Sequence, residues 1–576
     1  MGAFPSCTRD QESRYDTQYG SAESKTSYTH RSIPRATCQP LQRPPLAFLP
    51  RSLPMGRHRD GYQDNESGTT TLCSTESHFG GCSTSYSEKG LGCGTAQRPP
   101  QARPSHPQGC DVAYRRFLAD NPEYCATFAI DELRRTDYRR LTASGETYVD
   151  WMGGALYPER LVHAHADFLC SRVLANTHSH SNPSALSHEC ASSARAAVLQ
   201  FFDASPEEYT VIFTPNASGA LKLVGEAYPF TDDSAFVLGA DSHNSVNGIR
   251  RFAEAKGASV AYIAATPQGG FELQEAEAVL NRHRPSPSRS ALFALTAQSN
   301  ISNSKAPLAL ADIACTLGYD VLLDAAALAP TSPLSLTAQP AIGALAISFY
   351  KMFGYPTGVG ALVIRRDLLQ RLRRPWFAGG TVDLVQVPGN NVTPARELHE
   401  QFEDGTINYT SLAAVPAGLR LLAAYQPLLP LRLTCLLRYM ISELQQLRYK
   451  DTDSPFVRVL SRIPMAAGEA GATASIEFLG ENGIPISPLL IEQSAARAGI
   501  ALRTGCACNP GGAAALLGIT ADMAALSPGA THATFEDAVG RALGVVRISL
   551  GLVSNFEDVW RVVQWASNVA QNGIDQ

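Results

Sequence analysis

The chain has 576 residues, 44% apolar and 18% charged, with a formal net charge of -5. That is enough apolar side chain for a large core and, by length, for two to four domains. The mild acidity argues against a nucleic-acid or membrane-surface partner, and no apolar run reads as long enough to span a bilayer.

Residues 1–110 are rich in Ser, Thr, Gly, Pro and Arg and show no sustained strand or helix period, so they are expected to be disordered. Six of the 13 cysteines fall there: Cys7, Cys38, Cys73, Cys82, Cys93 and Cys110. Cys73, Cys82 and Cys93 with His78 follow no regular zinc spacing, and no metal is expected. The start MGAFPSC fits the short myristoylation pattern at Gly2, with Cys7 beside it, a pattern that chance also produces. There is no apolar signal-peptide stretch, and the sparse cysteines beyond residue 110 suit a reducing, cytoplasmic location.

Structure is expected from Asp111. VAYRRFLADNPEY reads as a helix and ETYVDWMGGALYP as a strand entering a glycine turn. From there to about Val385 strands and helices alternate: YTVIFT, AFVLGA, ASVAYIA, ALFALT and DVLL are strands separated by helical patterns. Such alternation implies a mostly parallel sheet covered on both faces. From about Thr393 the pattern changes to two long helices, the strands SIEFLG, IALRTG and VVRISLG, and the closing amphipathic helix FEDVWRVVQWASNVAQ. The expected organisation is an extension over 1–110, a segment 111–150 packing on the smaller domain, a large domain over 151–390 and a small α+β domain over 391–576.

In open α/β sheets, ligands sit at the carboxyl ends of the strands. Polar residues gather at these ends: Asn216 to Gly219, His243, Asn300 and Asp324. Lys351 stands alone between the apolar runs of AISFYKMFGYPTGVGALVI. Burial lowers a lysine's pKa, and a neutral amine can form a Schiff base; the plain alternative is a lysine snorkelling to water. The loop PNASG opens a helix, whose free N–H groups suit phosphate, although an ordinary βα turn looks the same. Asp324 ends an apolar strand and needs a cationic partner or an N-cap role. Phosphate loop, histidine, aspartate and lysine together meet the needs of pyridoxal phosphate, which requires an amine for its aldehyde and a carboxylate for its ring nitrogen.

The motifs YTVIFTPNASGALKLVGEAYPF, DSHNSVNGIR, TAQSNISN, VLLDAAALAPTSPLSL, ISFYKMFGYPTGVGALVIRRD, FAGGTV, DGTINY and LRTGCACNPGG occur in one order. In that order they resemble the class V aminotransferase and cysteine desulfurase superfamily. The similarity is greatest to the N-terminal desulfurase-like domain of eukaryotic molybdenum cofactor sulfurases, over about residues 111–576. The resemblance implies the fold of type I pyridoxal-phosphate-dependent transferases: a large domain with a mostly parallel seven-stranded sheet, and a smaller C-terminal α+β domain. It implies that Lys351 forms the internal aldimine, that Asp324 pairs the pyridinium and that His243 stacks on the ring and moves protons. Ala217, Ser218 and Ser348 would hold the phosphate, Asn300 would lie near the ring hydroxyl, and Thr381 would reach the phosphate of the partner in a homodimer.

In LRTGCACNPGG, Cys508 lies five residues after Arg503, the spacing of the desulfurase cysteine that attacks the substrate's sulfur. A nearby cation favours a thiolate. Arg547, with Arg503 as second choice, would hold the substrate carboxylate bidentately. Two departures stand out. The third cysteine usual in this motif is Ala513 here, so a structural disulfide of Cys506 with that partner is in doubt. The sequence also stops after its closing helix, which suits a stand-alone sulfur donor better than a complete sulfurase. The expected activity is desulfuration of L-cysteine through a protein persulfide, leaving alanine, with an unknown sulfur acceptor that could be the molybdenum cofactor. A C–S lyase acting on a cysteine conjugate, which needs Lys351 but not Cys508, and a non-catalytic sulfur-relay scaffold are the alternatives.

Overall fold

The computed structural model describes residues 109–286 and 289–574. The readings for the N-terminal extension to residue 108, including the Gly2 pattern and the Cys73–Cys93 cluster, lie outside the described residues. From Val112 onward the described residues form one compact unit.

Seven strands form the main sheet, in the spatial order Tyr209–Thr214, Gly360–Arg365, Ala344–Ser348, Tyr319–Asp324, Ala291–Thr296, Ala235–Gly239, Ser259–Ile263. Gly360–Arg365 runs antiparallel to both of its neighbours, and every other pairing is parallel. The strands are near-continuous apolar runs such as VIF and LFAL, as a sheet buried on both faces requires. Val211, Ile212, Phe236, Phe293, Leu322 and Val363 have no accessible surface. Each such side chain contributes about 1.5–3 kcal/mol of burial free energy.

The smaller C-terminal α+β domain is built on a four-stranded antiparallel sheet ordered Val457–Val459, Thr473–Phe478, Val545–Ser549, Arg503–Gly505. The predicted strand IALRTG is split. Ile500–Ala501 instead pairs in parallel with Thr147–Tyr148, the two-residue remnant of the strand expected over ETYVDW. The N-terminal segment is tied down by charge. Arg134 grips Asp558 bidentately at 2.6 and 2.8 Å, and fully buried Arg432 pairs with Asp131. Removing one partner of the buried Arg134–Asp558 pair costs about 3–5 kcal/mol.

Tyr409–Gln445 corrects one expectation. By length and composition this 37-residue helical stretch is long and apolar enough to cross a bilayer. Prolines at 416, 427 and 430 each open a new helical segment, which hides the run from a simple reading. In the fold 67% of its apolar window is buried, as in a core helix. The sequence reading also missed the antiparallel hairpin Val382–Val385 with Val392–Pro394, whose residues are largely exposed and carry no strong alternation.

Candidate active site

Strand register brings the polar ends together. Thr296 is aligned with Asp324, Asp324 with Ala346, and Ser348 with Gly360. One cavity at this edge is lined by Ala217, Ser218, His243, Asn300, Asp324, Ser348 and Lys351, together with Gln298, Tyr350 and Ser245.

The phosphate-type loop is held by a specific contact. Asn216 caps the helix Ala217–Ala227, its Oδ1 accepting from Gly219 N at 3.0 Å, and Ala217 N donates to Ser348 Oγ at 2.8 Å. Gly360 makes this approach possible. A Cβ there would lie 2.6 Å from Asn216 Cα and 2.6 Å from Ile347 O. Ser218 Oγ meets Ser245 Oγ at 2.5 Å. Ser245 N donates at 3.1 Å to His243 Nδ1, so the neutral ring carries its proton on Nε2.

Lys351 sits in the short helix Phe349–Phe353, which ends at Gly354 in the left-handed region. Protein surrounds it, although its cavity face keeps some accessible surface. Burial pushes its pKa down; Asp324 pulls it up, and Arg547 and Arg503 push it down again. Among the described residues the amine makes no hydrogen bond or ion pair. The His243 pKa is likewise pushed down, first by burial, with Asp324 acting in the opposite direction. Asp324 is 8% exposed and accepts from Ala326 N at 3.1 Å.

The cysteine loop lies over this edge. Ala507 and Cys508 have φ of +48° and +60°, a strained pair for non-glycine residues. Their carbonyls pin them: Ala507 O accepts from Asn300 Nδ2 and Cys508 O from Asn244 N, both at 2.7 Å. Asn509 Nδ2 donates to Asp241 Oδ1 at 2.7 Å and to Asn300 Oδ1 at 3.0 Å. Gly511 and Gly512 allow the next helix to touch the large domain, since a Cβ there would come within 2.2 Å of Ala240 O and 2.3 Å of Asp241 Oδ1. The thiols of Cys506 and Cys508 are exposed and free, and no disulfide forms among the described residues.

The two arginines divide differently from expectation. Arg547 is buried and already engaged: Nη2 donates to Asp150 at 2.6 Å and Nη1 to Asn300 O at 3.1 Å, while Nε has no partner. Arg503, aligned opposite it, is half-buried and makes no ion pair among the described residues. Thr381 lies outside the cavity within this chain, its hydroxyl bonded to Ala378 O and N. Sequence reasoning missed Gln298, Tyr350, Asp150 and Asn509. The position of Gln298, Tyr350 and Asn509 inside the recognised motifs could have flagged those three. A larger cavity, about 690 Å³, is lined by Lys305 and Phe271 and contains none of the predicted site residues.

A buried lysine amine whose pKa burial pushes down, near a carboxylate at the carboxyl edge of a seven-stranded α/β sheet, defines the class: a fold type I pyridoxal-phosphate-dependent enzyme. The aminotransferase class-V family profile matches residues 147–562, and the chain belongs to that family. It is 33% identical over 473 residues to the molybdenum cofactor sulfurase of Arabidopsis thaliana, covering 76% of this chain and 57% of that protein. The Bos taurus molybdenum cofactor sulfurase is 34% identical, with 74% and 50% covered. The chain thus spans about half the length of the curated relatives it matches. Among solved structures, the apo cysteine desulfurase of Thermococcus onnurineus superposes with a TM-score of 0.61 at 22% identity, covering 76% of this chain and 98% of that one. A cysteine desulfurase of Escherichia coli in an S-sulfonic acid form gives 0.59 at 20%, covering 77% and 98%. These likenesses establish the fold.

Proposed function

We propose that the chain uses pyridoxal phosphate to take sulfur from L-cysteine as a persulfide on Cys508, leaving alanine. The observation that carries this reading is the Lys351 amine, surrounded by protein and without a hydrogen bond or ion pair among the described residues, under a loop that presents an exposed thiol. The donor set fits the cofactor. Lys351 supplies an amine for an aldehyde, Asp324 an acceptor for a ring N–H, and the capped helix with Ser218 a cradle for phosphate. When bound, the cofactor supplies an electron-withdrawing ring conjugated to the substrate's α-carbon.

The chain's residues do the rest. Arg503, which makes no ion pair among the described residues, binds the substrate's carboxylate, and Arg547 backs it. The Cys508 thiolate attacks the substrate's sulfur: the S–S bond forms, the carbon–sulfur bond breaks, and its electron pair stays with carbon. Neutral His243 and the Lys351 amine are the groups able to move the protons that complete alanine. As acceptor we put forward the molybdenum cofactor, because relatives aligned over three quarters of the chain are named for it. We further propose a homodimer in which Thr381 faces the partner's site.

The test is an absorption spectrum with pyridoxal phosphate, before and after L-cysteine, with product analysis. A visible band at about 410–430 nm, lost in Lys351→Ala, and alanine lost in Cys508→Ser, support the reading. Pyruvate and ammonia with Cys508→Ser still releasing sulfide would establish the C–S lyase instead. No band at all would overturn the enzyme assignment.

A further inference from the structure

We propose that the cavity of about 690 Å³ beside the main sheet is a second binding site, which takes an organic anion with a flat apolar body and seats its anionic group on Lys305. The inference stands on this cavity and goes beyond the sulfur-transfer reading.

Phe293 and Leu295 line this cavity, while the alternate residues Leu292 and Ala294 pack in the core with the helix Ala217–Ala227. Successive strand residues point to opposite faces, so the cavity lies on the face away from that helix. Phe271, Leu308 and Leu328 extend its apolar wall. Its volume falls within the roughly 300–1,000 Å³ of small-molecule sites. The loop that carries Phe271 is held in place. Gly270 N donates to buried Asp241 at 2.7 Å, and a Cβ on Gly269 would lie 2.0 Å from Ser302 Cβ.

The charges on this wall are unevenly answered. Lys305 is half-buried, and its Nζ donates to two neutral oxygens, Ser332 Oγ and Gly468 O, both at 2.9 Å. It makes no ion pair among the described residues. Asp241 lines the same cavity, but its oxygens already accept from Ser299 Oγ, Asn509 Nδ2, Ser302 Oγ and Gly270 N. Glu469 Oε2 accepts from the backbone of Met465 and Ala466. Glu469, Glu272 and Arg462 are the remaining charged groups on the wall, and all three are exposed. A desolvated charge that meets only neutral groups is costly unless a ligand answers it. Burial pushes the Lys305 pKa down to about 8, and an anion beside the amine raises it again. An apolar chamber with one inward cation is the arrangement that recognises an aromatic carboxylate.

The full-length, cofactor-loaded protein is titrated by calorimetry with 2-naphthoate and with its uncharged analogue 2-naphthamide. At pH 7 the wild type binds the carboxylate about tenfold more tightly than the amide. Lys305→Met, which keeps an apolar stem, loses that preference, and Lys305→Arg keeps it. Leu308→Trp fills part of the chamber at a half-buried position, leaves Lys305 in place and loses both probes. In the wild type, affinity for 2-naphthoate falls as pH rises above about 8, because the deprotonated amine holds no anion; in Lys305→Arg it stays level. The two substitutions act at different places, so the failure of one to fold leaves the other to decide. Equal wild-type affinity for the two probes, or binding of neither, would overturn the inference. So would 2-naphthoate binding that is unchanged in Lys305→Met and Leu308→Trp, which places the probe at another cation such as Arg503.

Discussion

Asn509→Ala removes the side chain that joins the cysteine loop to the sheet edge. Asn509 is fully buried: its Oδ1 caps the following helix at Gly512 N, 3.0 Å, and its Nδ2 reaches Asp241, Asn300 and, at 3.5 Å, Ser299 Oγ. Loss of the cap costs about 1 kcal/mol. The bond to a buried carboxylate is worth about 1.5–3 kcal/mol. The lower end applies, because Asp241 keeps donors from Gly270 N at 2.7 Å, Ser299 Oγ at 2.6 Å and Ser302 Oγ at 2.5 Å. A local destabilisation of about 2–3 kcal/mol follows, equivalent to amide exchange about 30- to 150-fold faster over residues 503–517. Hydrogen-exchange mass spectrometry on that peptide reads it directly. Asn509→Asp keeps the cap but sets a second carboxylate beside Asp241. The pair then holds a proton, with a folded pKa raised above the unfolded value. Its stability is therefore fully present at pH below the unfolded carboxylate pKa and is lost as pH rises through the folded one. The Asp variant should protect the loop at low pH and release it at pH 8. An increase of less than about threefold in Asn509→Ala would refute the view that this side chain anchors the loop.

Gly360→Ala places a methyl group against two backbone segments, at 2.6 Å from Asn216 Cα and Ile347 O. A stability loss of about 1–3 kcal/mol in denaturant and weaker pyridoxal-phosphate binding are expected; a variant with wild-type denaturation and affinity would show that the loop does not need this approach. His399 is pushed down to about 3, by burial first and then by Arg195, Arg366 and His188. Its folded pKa lies below the unfolded value near 6.5, so the unfolded chain gains a proton first and stability falls as pH drops from about 6.5 toward about 3. Allowing for its partial exposure, the loss between pH 7 and pH 5 is about 1–2 kcal/mol. In His399→Gln the melting temperature should fall correspondingly less over that interval, and an equal fall would remove His399 from the account.

Periodicity and composition determined much by themselves. Apolar runs of five or six residues closed by small or polar residues marked the main strands, because a strand buried on both faces admits no polar side chain until it ends. The same rule isolated Asp324 and Lys351, and the RTGCAC spacing marked Cys508. What local sequence did not contain is which neighbour each strand end meets. The antiparallel placement of Gly360–Arg365, which brings Gly360 against Asn216, follows from strand order and not from any residue in that strand. Arg547 and Arg503 look equivalent along the chain. Only the fold gives one of them Asp150, 397 positions away, and leaves the other without an ion pair among the described residues. Asn300 and Gln298 are two residues apart and carry the same amide. Packing of the cysteine loop occupies the first and leaves the second without a partner among the described residues, because a hydrogen bond is decided by distance in space and not by distance along the chain.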